Sequence, residues 1–255
     1  MLLELHRITK HFGGIMAVKH VCIGVEEAKI TALIGPNGAG KTTIFNLISG
    51  TYQPDEGEIL LEEKTITGMK TYKTARAGVS RTFQNLQLFS SMTVLENVMT
   101  GAYLQGKKGF IKSFLSSPER SKEEKKIRAE SLRLLEEVGL VESAGLPAAV
   151  LPFGQQRLLE IARALASQPK LILLDEPAAG LNAVESEILT EYLKKLRSQG
   201  MTMIMIEHDM ETVMEAADRI VVLNFGEVIT QGTPAEIQAH PEVIKAYLGE
   251  DEQIA

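Results

Sequence analysis

The chain has 255 residues, 44% of them hydrophobic, enough for one large core or two small ones at the usual ~100–200 residues per domain. A formal net charge of −6 is the wrong sign for non-specific attraction to nucleic acid or anionic lipid, so no nucleic-acid partner is expected. The single cysteine, Cys22, excludes an internal disulfide framework and a zinc-type ligand cluster.

No apolar run approaches the ~18 residues that a membrane-spanning helix needs. The opening MLLELHRITKHF places Glu4, His6 and Arg7 where a signal peptide requires an uninterrupted apolar stretch. The expectation is a soluble, unsecreted chain.

Short alternating segments come first: LLELHRI, VCIGVEE, ITALIG and, further on, GEILLEEKTIT. With their Gly and Asp turn signals they predict an antiparallel sheet beside a phosphate-binding strand and helix. Cys22, inside VCIGV, is expected to pack as a small buried residue. From residue 93 to about residue 166 helical patterns dominate, interrupted by a loop over GKKGFIKSFLSSPER. Thr93 and Glu96 have capping-box spacing, which starts a helix. SKEEKKIRAESLRLLEEVGL sets Ile127, Leu132, Leu135 and Val138 on one face and solvated charges on the other. The runs LILLD and MTMIMIEH alternate with the helical patterns IARALA and AVESEILTEYLKKLRSQG, the order of βαβ units with a parallel sheet. Met201, Met203 and Met205 are then core residues of a buried strand. VVLNFGEVIT reads as a hairpin turning at Asn224 to Gly226, followed by two short helices beginning at Pro234 and Pro241.

GPNGAGKTT, directly after ITALI and before TIFNLISG, fits G-x-x-x-x-G-K-[ST] in its strand, loop, helix setting. Gly35, Gly38 and Gly40 let the backbone bend so that the amides of Pro36-Asn37-Gly38-Ala39-Gly40 and the helix start can point at phosphate oxygens. Lys41 supplies charge to the β- and γ-phosphates, Thr42 a hydroxyl to Mg²⁺, and Thr43 a further phosphate contact. GTPases, kinases and motors share this pattern, so it predicts nucleotide binding without choosing a class.

LILLDEP places Asp175 and Glu176 at the carboxyl end of an apolar strand. Asp175 is the candidate Mg²⁺ residue, and Glu176 the candidate to orient or deprotonate an attacking water. His208 follows MTMIMIE and is expected at the same sheet edge, where ligands collect in open α/β sheets.

Gln84 in RTFQN, then LPFGQQRLLEIARAL, LILLDEP, AAGLN and His208 stand in the order of the ABC ATPases, which the chain resembles from end to end. FGG near the start, EPAAGLN and the ending EVITQGTPAEIQAHPEVIKAYLG are most similar to ATPase subunits of branched-chain amino-acid importers, with urea-importer ATPases close by. The resemblance implies an α/β fold of the ABC-type P-loop ATPases: a mixed core sheet, an antiparallel β subdomain and a helical signature subdomain at about 90–166, within a single domain of residues 1–255. It implies ATP and Mg²⁺ as ligands and ATP hydrolysis as the activity. Gln84 matches the glutamine that reaches Mg²⁺ and the attacking water, His208 the histidine that contacts the γ-phosphate, and Phe12 the aromatic that stacks on adenine. A core phenylalanine is the alternative for Phe12.

Leu151 to Gln155 reads LPFGQ where the general signature is LSGGQ, so Pro152 brings neither a hydroxyl nor a backbone N–H. Leu151, Gly154 and Gln155 remain candidates for contacting the nucleotide of an opposite subunit. Asn182 stands where most cassettes carry aspartate. The implied partners are transmembrane permease subunits, a second ABC ATPase in a homodimer or heterodimer, and indirectly a solute-binding protein, at the cytoplasmic face of the membrane. A urea or amide importer, a non-transport ABC assembly ATPase and a module that binds ATP without cleaving it are the alternatives.

Overall fold

Alternation decides the first strands. In β1 (Leu3–Phe12) Leu3, Leu5 and Ile8 are buried, and in β2 (Ile15–Val25) Val18, Val21, Ile23 and Val25, while the residues between them face outward or are half-buried. They pair antiparallel with β4 (Glu56–Leu61) and β5 (Lys64–Thr65) in the order β2-β1-β4-β5. Cys22 corrects the sequence reading: it is exposed. VCIGV is not a continuous buried run but the period-2 set Val21, Ile23, Val25, with Cys22 on the opposite face.

The computed structural model describes residues 1–103 and 118–243. A second sheet has the order β10-β9-β3-β8-β7-β6, from β3 (Ile30–Ile34), β6 (Val79–Arg81), β7 (Leu171–Asp175), β8 (Thr202–Ile206), β9 (Arg219–Asn224) and β10 (Glu227–Gly232). Every pair is parallel except β9 with β10, so the sheet is mixed. All residues of β3, β7 and β8 are buried, as expected of central parallel strands covered on both faces. Met203 and Met205 belong to that core; Met201 precedes β8 and is half-buried. The crossovers include α1 (Lys41–Ile48) and α6 (Ala183–Ser198), and α7 (Met210–Ala216) follows β8. Ile44, Phe45, Leu47 and Ile48 of α1 share one apolar core with residues of both sheets. The hairpin turns at Asn224 to Gly226, and α8 (Pro234–Gln238) starts on a Thr233–Glu236 capping box. Most of the helix expected from Pro241 lies outside the described residues.

Both sheets belong to one unit, Met1–Arg81 with Leu171–Ala255; the second unit is Thr82–Lys170. Its helices are α3 (Val94–Ala102), α4 (Pro118–Glu137) and α5 (Phe153–Leu165). α3 starts on the full Thr93–Glu96 capping box. The loop expected over residues 106–120 lies outside the described residues except its last three, which open α4 and correct that reading: a proline in the first helical position has no N–H to lose. In α4 Leu135 is buried, with Ile127 and Leu132 half-buried; Val138 is half-buried in the turn just past its end. No helix among the described residues is long and apolar enough to cross a membrane.

Asn97, fully buried on α3, fixes the segment leading into that helix: its Oδ1 accepts from the Phe89 amide at 2.9 Å, and its Nδ2 donates to the Phe89 and Thr93 carbonyls at 3.0 Å each. Asn97→Ala leaves the Phe89 amide and carbonyl without these partners, a loss of about 1–3 kcal/mol for such a buried group. Urea unfolding should show that loss with an unchanged slope.

Candidate functional site

Three adjacent parallel strands end together. Leu33 of β3 is in register with Ile206 of β8, and Ile206 with Asp175 of β7. The glycine-rich loop leaves β3, Glu176 leaves β7, and Glu207 and His208 leave β8 at the same edge of the sheet.

The glycines of the loop answer two different demands. Gly35 (φ +145°) and Gly40 (φ +103°) lie so close to other backbone that a Cβ would stand 2.0 Å from the Leu223 carbonyl oxygen or 2.6 Å from that of Ala17. Gly38 (φ +80°) would meet nothing within 4 Å, so only its left-handed backbone calls for glycine, and its surroundings are open. Lys41 is 6% exposed, and its ammonium donates to the carbonyls of Gly35 at 2.5 Å and Pro36 at 2.9 Å. Ala39 donates to Pro36 at 3.1 Å, closing the turn, and Gly226 donates to Ala39 at 3.1 Å, tying the β9–β10 turn to it. No side chain caps α1 at Gly40. Thr42 is exposed and Thr43 half-buried in its first turn, where helix amides have no intrahelical acceptor. A concave backbone turn with open space at Gly38, an uncapped helix start and a lysine ammonium fits a polyphosphate.

Phe12 is not a core residue. It is 41% exposed, with the Tyr52 ring edge-on at 5.1 Å and the Lys10 ammonium 5.6 Å from its centroid. Tyr52 is held in turn by its amide on the Asn46 carbonyl at the end of α1. An exposed, braced ring on the same unit fits a planar base.

Asp175 and Arg81 form a buried ion pair at 2.7 Å, and Arg81 also donates to Asn46 Oδ1 on α1 at 2.7 Å. Pairing β6 beside β7 is what brings Arg81 here. A carboxylate offers about four lone-pair positions, and carboxylate and hydroxyl oxygens such as those of Asp175 and Thr42 are the hard donors that Mg²⁺ takes. Glu176, half-buried, has φ +49°, a left-handed conformation uncommon outside glycine. Its amide donates to the Ile206 carbonyl at 2.9 Å, and its Oε1 lies 3.1 Å from His208 Nε2. The sequence suggested both residues; their direct contact comes from the β7–β8 register.

Gln84, Leu151, Gly154 and Gln155 belong to the second unit. α5 opens at Phe153 with Pro152 as its N-terminal flank, Gly154 buried and Gln155 exposed. Arg157, one turn on, donates to the carbonyls of Phe83 at 3.2 Å and Gln84 at 2.8 Å. Glu160 accepts from the Gln87 amide at 3.5 Å, and Arg163 donates to the Gln87 carbonyl. Burial raises the Glu160 carboxyl above its usual range, and the two neighbouring arginines only offset it. Burial also lowers the Arg163 guanidinium. Sequence reading missed Arg81, Arg157, Glu160, Arg163 and Glu207. The one legible signal was charge in otherwise apolar patterns: QQRLLEIARAL and MIMIEH.

Removing Arg81 takes the paired guanidinium away from the buried Asp175 carboxylate. Arg81→Ala is expected to cost about 3–5 kcal/mol, as when one partner of a buried pair is lost. The Arg81→Ala, Asp175→Ala double variant should lose less than the two singles added. Chemical denaturation of the three variants checks both statements.

A family model described as ABC transporter matches residues 18–179, and a second, described as branched-chain amino acid ATP-binding cassette transporter, matches residues 227–253. The chain is 45% identical to the high-affinity branched-chain amino acid transport ATP-binding protein BraF of Pseudomonas aeruginosa, covering 98% of each. Among solved structures it is similar to the ADP conformation of an ATP-binding cassette of an ABC transporter, with a TM-score of 0.85 at 32% identity over 97% of this chain and 98% of the other. It is also similar to a dimeric bacterial ABC transporter cassette, with a TM-score of 0.75 at 28% identity over 91% of this chain and 98% of that one.

Proposed function

From the premise that the chain belongs to the ABC transporter family of ATP-binding cassettes, and so is a nucleotide-binding ATPase, we propose that it powers an importer of branched-chain amino acids. The observation that carries the catalytic part is the meeting of Glu176 and His208 at 3.1 Å, at the ends of two strands adjacent to the one that feeds the phosphate loop. The solute class is supported by the kinship with BraF and by the match at residues 227–253.

Phe12 stacks on adenine. The backbone of Gly35, Pro36, Asn37, Gly38, Ala39 and Gly40 cradles the phosphates, with Lys41 and Thr43. Thr42 and Asp175 would hold Mg²⁺, which when bound would neutralise charge on the β- and γ-phosphates. Glu176 takes a proton from the attacking water as its oxygen bonds to the γ-phosphorus and the bond to the β-phosphate oxygen breaks, releasing ADP and phosphate. A positioned base contributes about 10²–10⁴-fold. His208 orients Glu176 and the γ-phosphate. Leu151, Gly154 and Gln155 face the nucleotide of a second cassette, in a homodimer or a heterodimer. Gln84 passes the state of the nucleotide to permease subunits at the cytoplasmic face of the membrane, and a separate solute-binding protein delivers the amino acid.

Lys41→Ala removes a cation from the phosphates and no apolar core contact. ATP turnover by the chain assembled with its permease in vesicles should fall about 100-fold or more, by analogy with removal of one preorganised charge-stabilising donor. ATP-driven leucine uptake should fall with it. Wild-type hydrolysis in this variant would overturn the assignment of the cradle, and ATP-driven uptake of urea without leucine would overturn the solute class.

The shared-site arrangement makes ATP the glue between two cassettes. Glu176→Gln slows cleavage but leaves Lys41, Thr42 and Asp175 in place, so the ATP-bound dimer should persist, whereas ADP lacks the group both chains contact. A ligand shifts an equilibrium only by its differential affinity for the two states. Sedimentation of Glu176→Gln with ATP–Mg²⁺ and with ADP–Mg²⁺, alone and with a partner cassette, should show dimer in ATP only. Monomer in every condition would refute the arrangement.

A further inference from the structure

Glu207 directly follows the fully buried strand β8, whose last four residues are apolar, and is only 3% exposed. A buried carboxylate costs free energy unless donors surround it. Here each oxygen has its own donor: Oε1 accepts from the Ala178 amide at 2.7 Å, and Oε2 from the His208 amide at 3.1 Å. Ala178 lies two residues past Glu176 and His208 one residue past Glu207, so a single side chain spans the two loops at the end of β7 and β8.

Glu176 needs such a restraint. Its φ of +49° is a conformation that persists only where the surroundings over-determine it. Upstream it is held by its amide on the Ile206 carbonyl; downstream the clamp on Ala178 is Glu207. We propose that Glu207 is a positioning residue for ATP hydrolysis, its carboxylate locking the Glu176 loop to the His208 loop so that the two side chains meet. Glutamine cannot replace it: an amide keeps one acceptor and turns an N–H₂ group toward a backbone N–H that needs an acceptor. Burial raises the Glu207 carboxyl and the charge of Glu176 raises it further, while the Ala178, His208 and Asp209 amides pull it down. Burial outweighs the amides, so the carboxyl stands above its usual range, and each of its oxygens still takes a backbone amide.

The inference rests on the catalytic reading of Glu176 and His208. The test is steady-state ATP hydrolysis by the full-length chain as wild type, Glu207→Gln, Glu207→Asp and Glu176→Gln, with ADP affinity and thermal melting of each. Glu207→Gln is expected to bind ADP as wild type does and to keep KM for ATP within about twofold, while kcat falls about tenfold or more, since ångström-scale misplacement of a catalytic group costs up to about 10²-fold. Glu207→Asp, with both acceptor oxygens on a shorter arm, should recover part of the loss. If Glu207→Gln does not fold, Glu207→Asp carries the test: reduced kcat at unchanged KM supports the proposal, and wild-type kcat overturns it. A loss in Glu207→Gln that falls equally on KM, ADP affinity and melting, with Glu207→Asp no better, also overturns it, because that is structural damage. Glu176→Gln separates the two failures. Full turnover there overturns the catalytic reading and this inference with it, whereas loss there beside wild-type kcat in Glu207→Gln overturns this inference alone.

Discussion

The parallel register of β3, β8 and β7 is the constraint on which the first unit's site depends. Ile206 is the common partner of Leu33 and Asp175, and its carbonyl accepts the Glu176 amide. Side chains alternate along a strand, so a slip of one residue at either pairing would send Asp175 or Glu207 to the opposite face. The apolar content of LILLD and MTMIMI makes such a slip costly in the core. Hydrophobic burial therefore fixes the position of the polar residues that follow each strand, and the chemistry occupies the first residues beyond the buried ladder.

Buried charge supplies the next level of order. Arg81 with Asp175, Arg157 and Arg163 with Glu160, and Glu207 among backbone amides each tie a loop to a helix or strand. Such groups are weak sources of stability, because desolvation offsets most of the attraction. The raised Glu160 carboxyl and lowered Arg163 guanidinium say the same: for both partners burial outweighs pairing. What these groups provide is geometry. Arg157 and Arg163 hold carbonyls of the Gln84 loop, Arg81 connects Asp175 to α1, and Glu207 connects two loops.

Features encoded within a few residues of one another were legible in the sequence, and features encoded by sheet order were not. The G-x-x-x-x-G-K-T turn, the Thr93–Glu96 box, the hairpin at Asn224 and the two apolar strands each rest on local spacing. The family motifs added Gln84 and Phe12, which no local rule singles out, and gave a role to His208, which its place after an apolar strand had already set at the same sheet edge. Arg81 meets Asp175 across 94 positions of sequence because β6 lies next to β7, and nothing near Arg81 announces it. Cys22 was misjudged for a local reason: an apolar stretch was taken as wholly buried although the alternation of Val21, Ile23 and Val25 already assigned Cys22 to the other face. Glu207 was overlooked beside His208, although a carboxylate directly after four buried apolar residues is the pattern of a charge with a built environment.

The unusual signature, LPFGQ, makes sense by the same logic. Pro152 needs no hydrogen to open α5: with φ −53° and ψ 152° it occupies the non-helical flank of the helix, and its carbonyl accepts from the Gln156 amide at 3.0 Å. Gln156 turns back to donate its side-chain amide to the Leu151 carbonyl at 2.8 Å, so the turn closes without the serine hydroxyl of the general pattern. Phe153, where that pattern has glycine, sets its ring 5.4 Å from the Arg157 guanidinium, an attraction of about 0.5–1 kcal/mol at an exposed site. Arg157 is the residue that holds the Gln84 carbonyl at 2.8 Å. The two departures from the common motif thus lie where they keep the helix start intact and brace the arginine that links it to the glutamine loop.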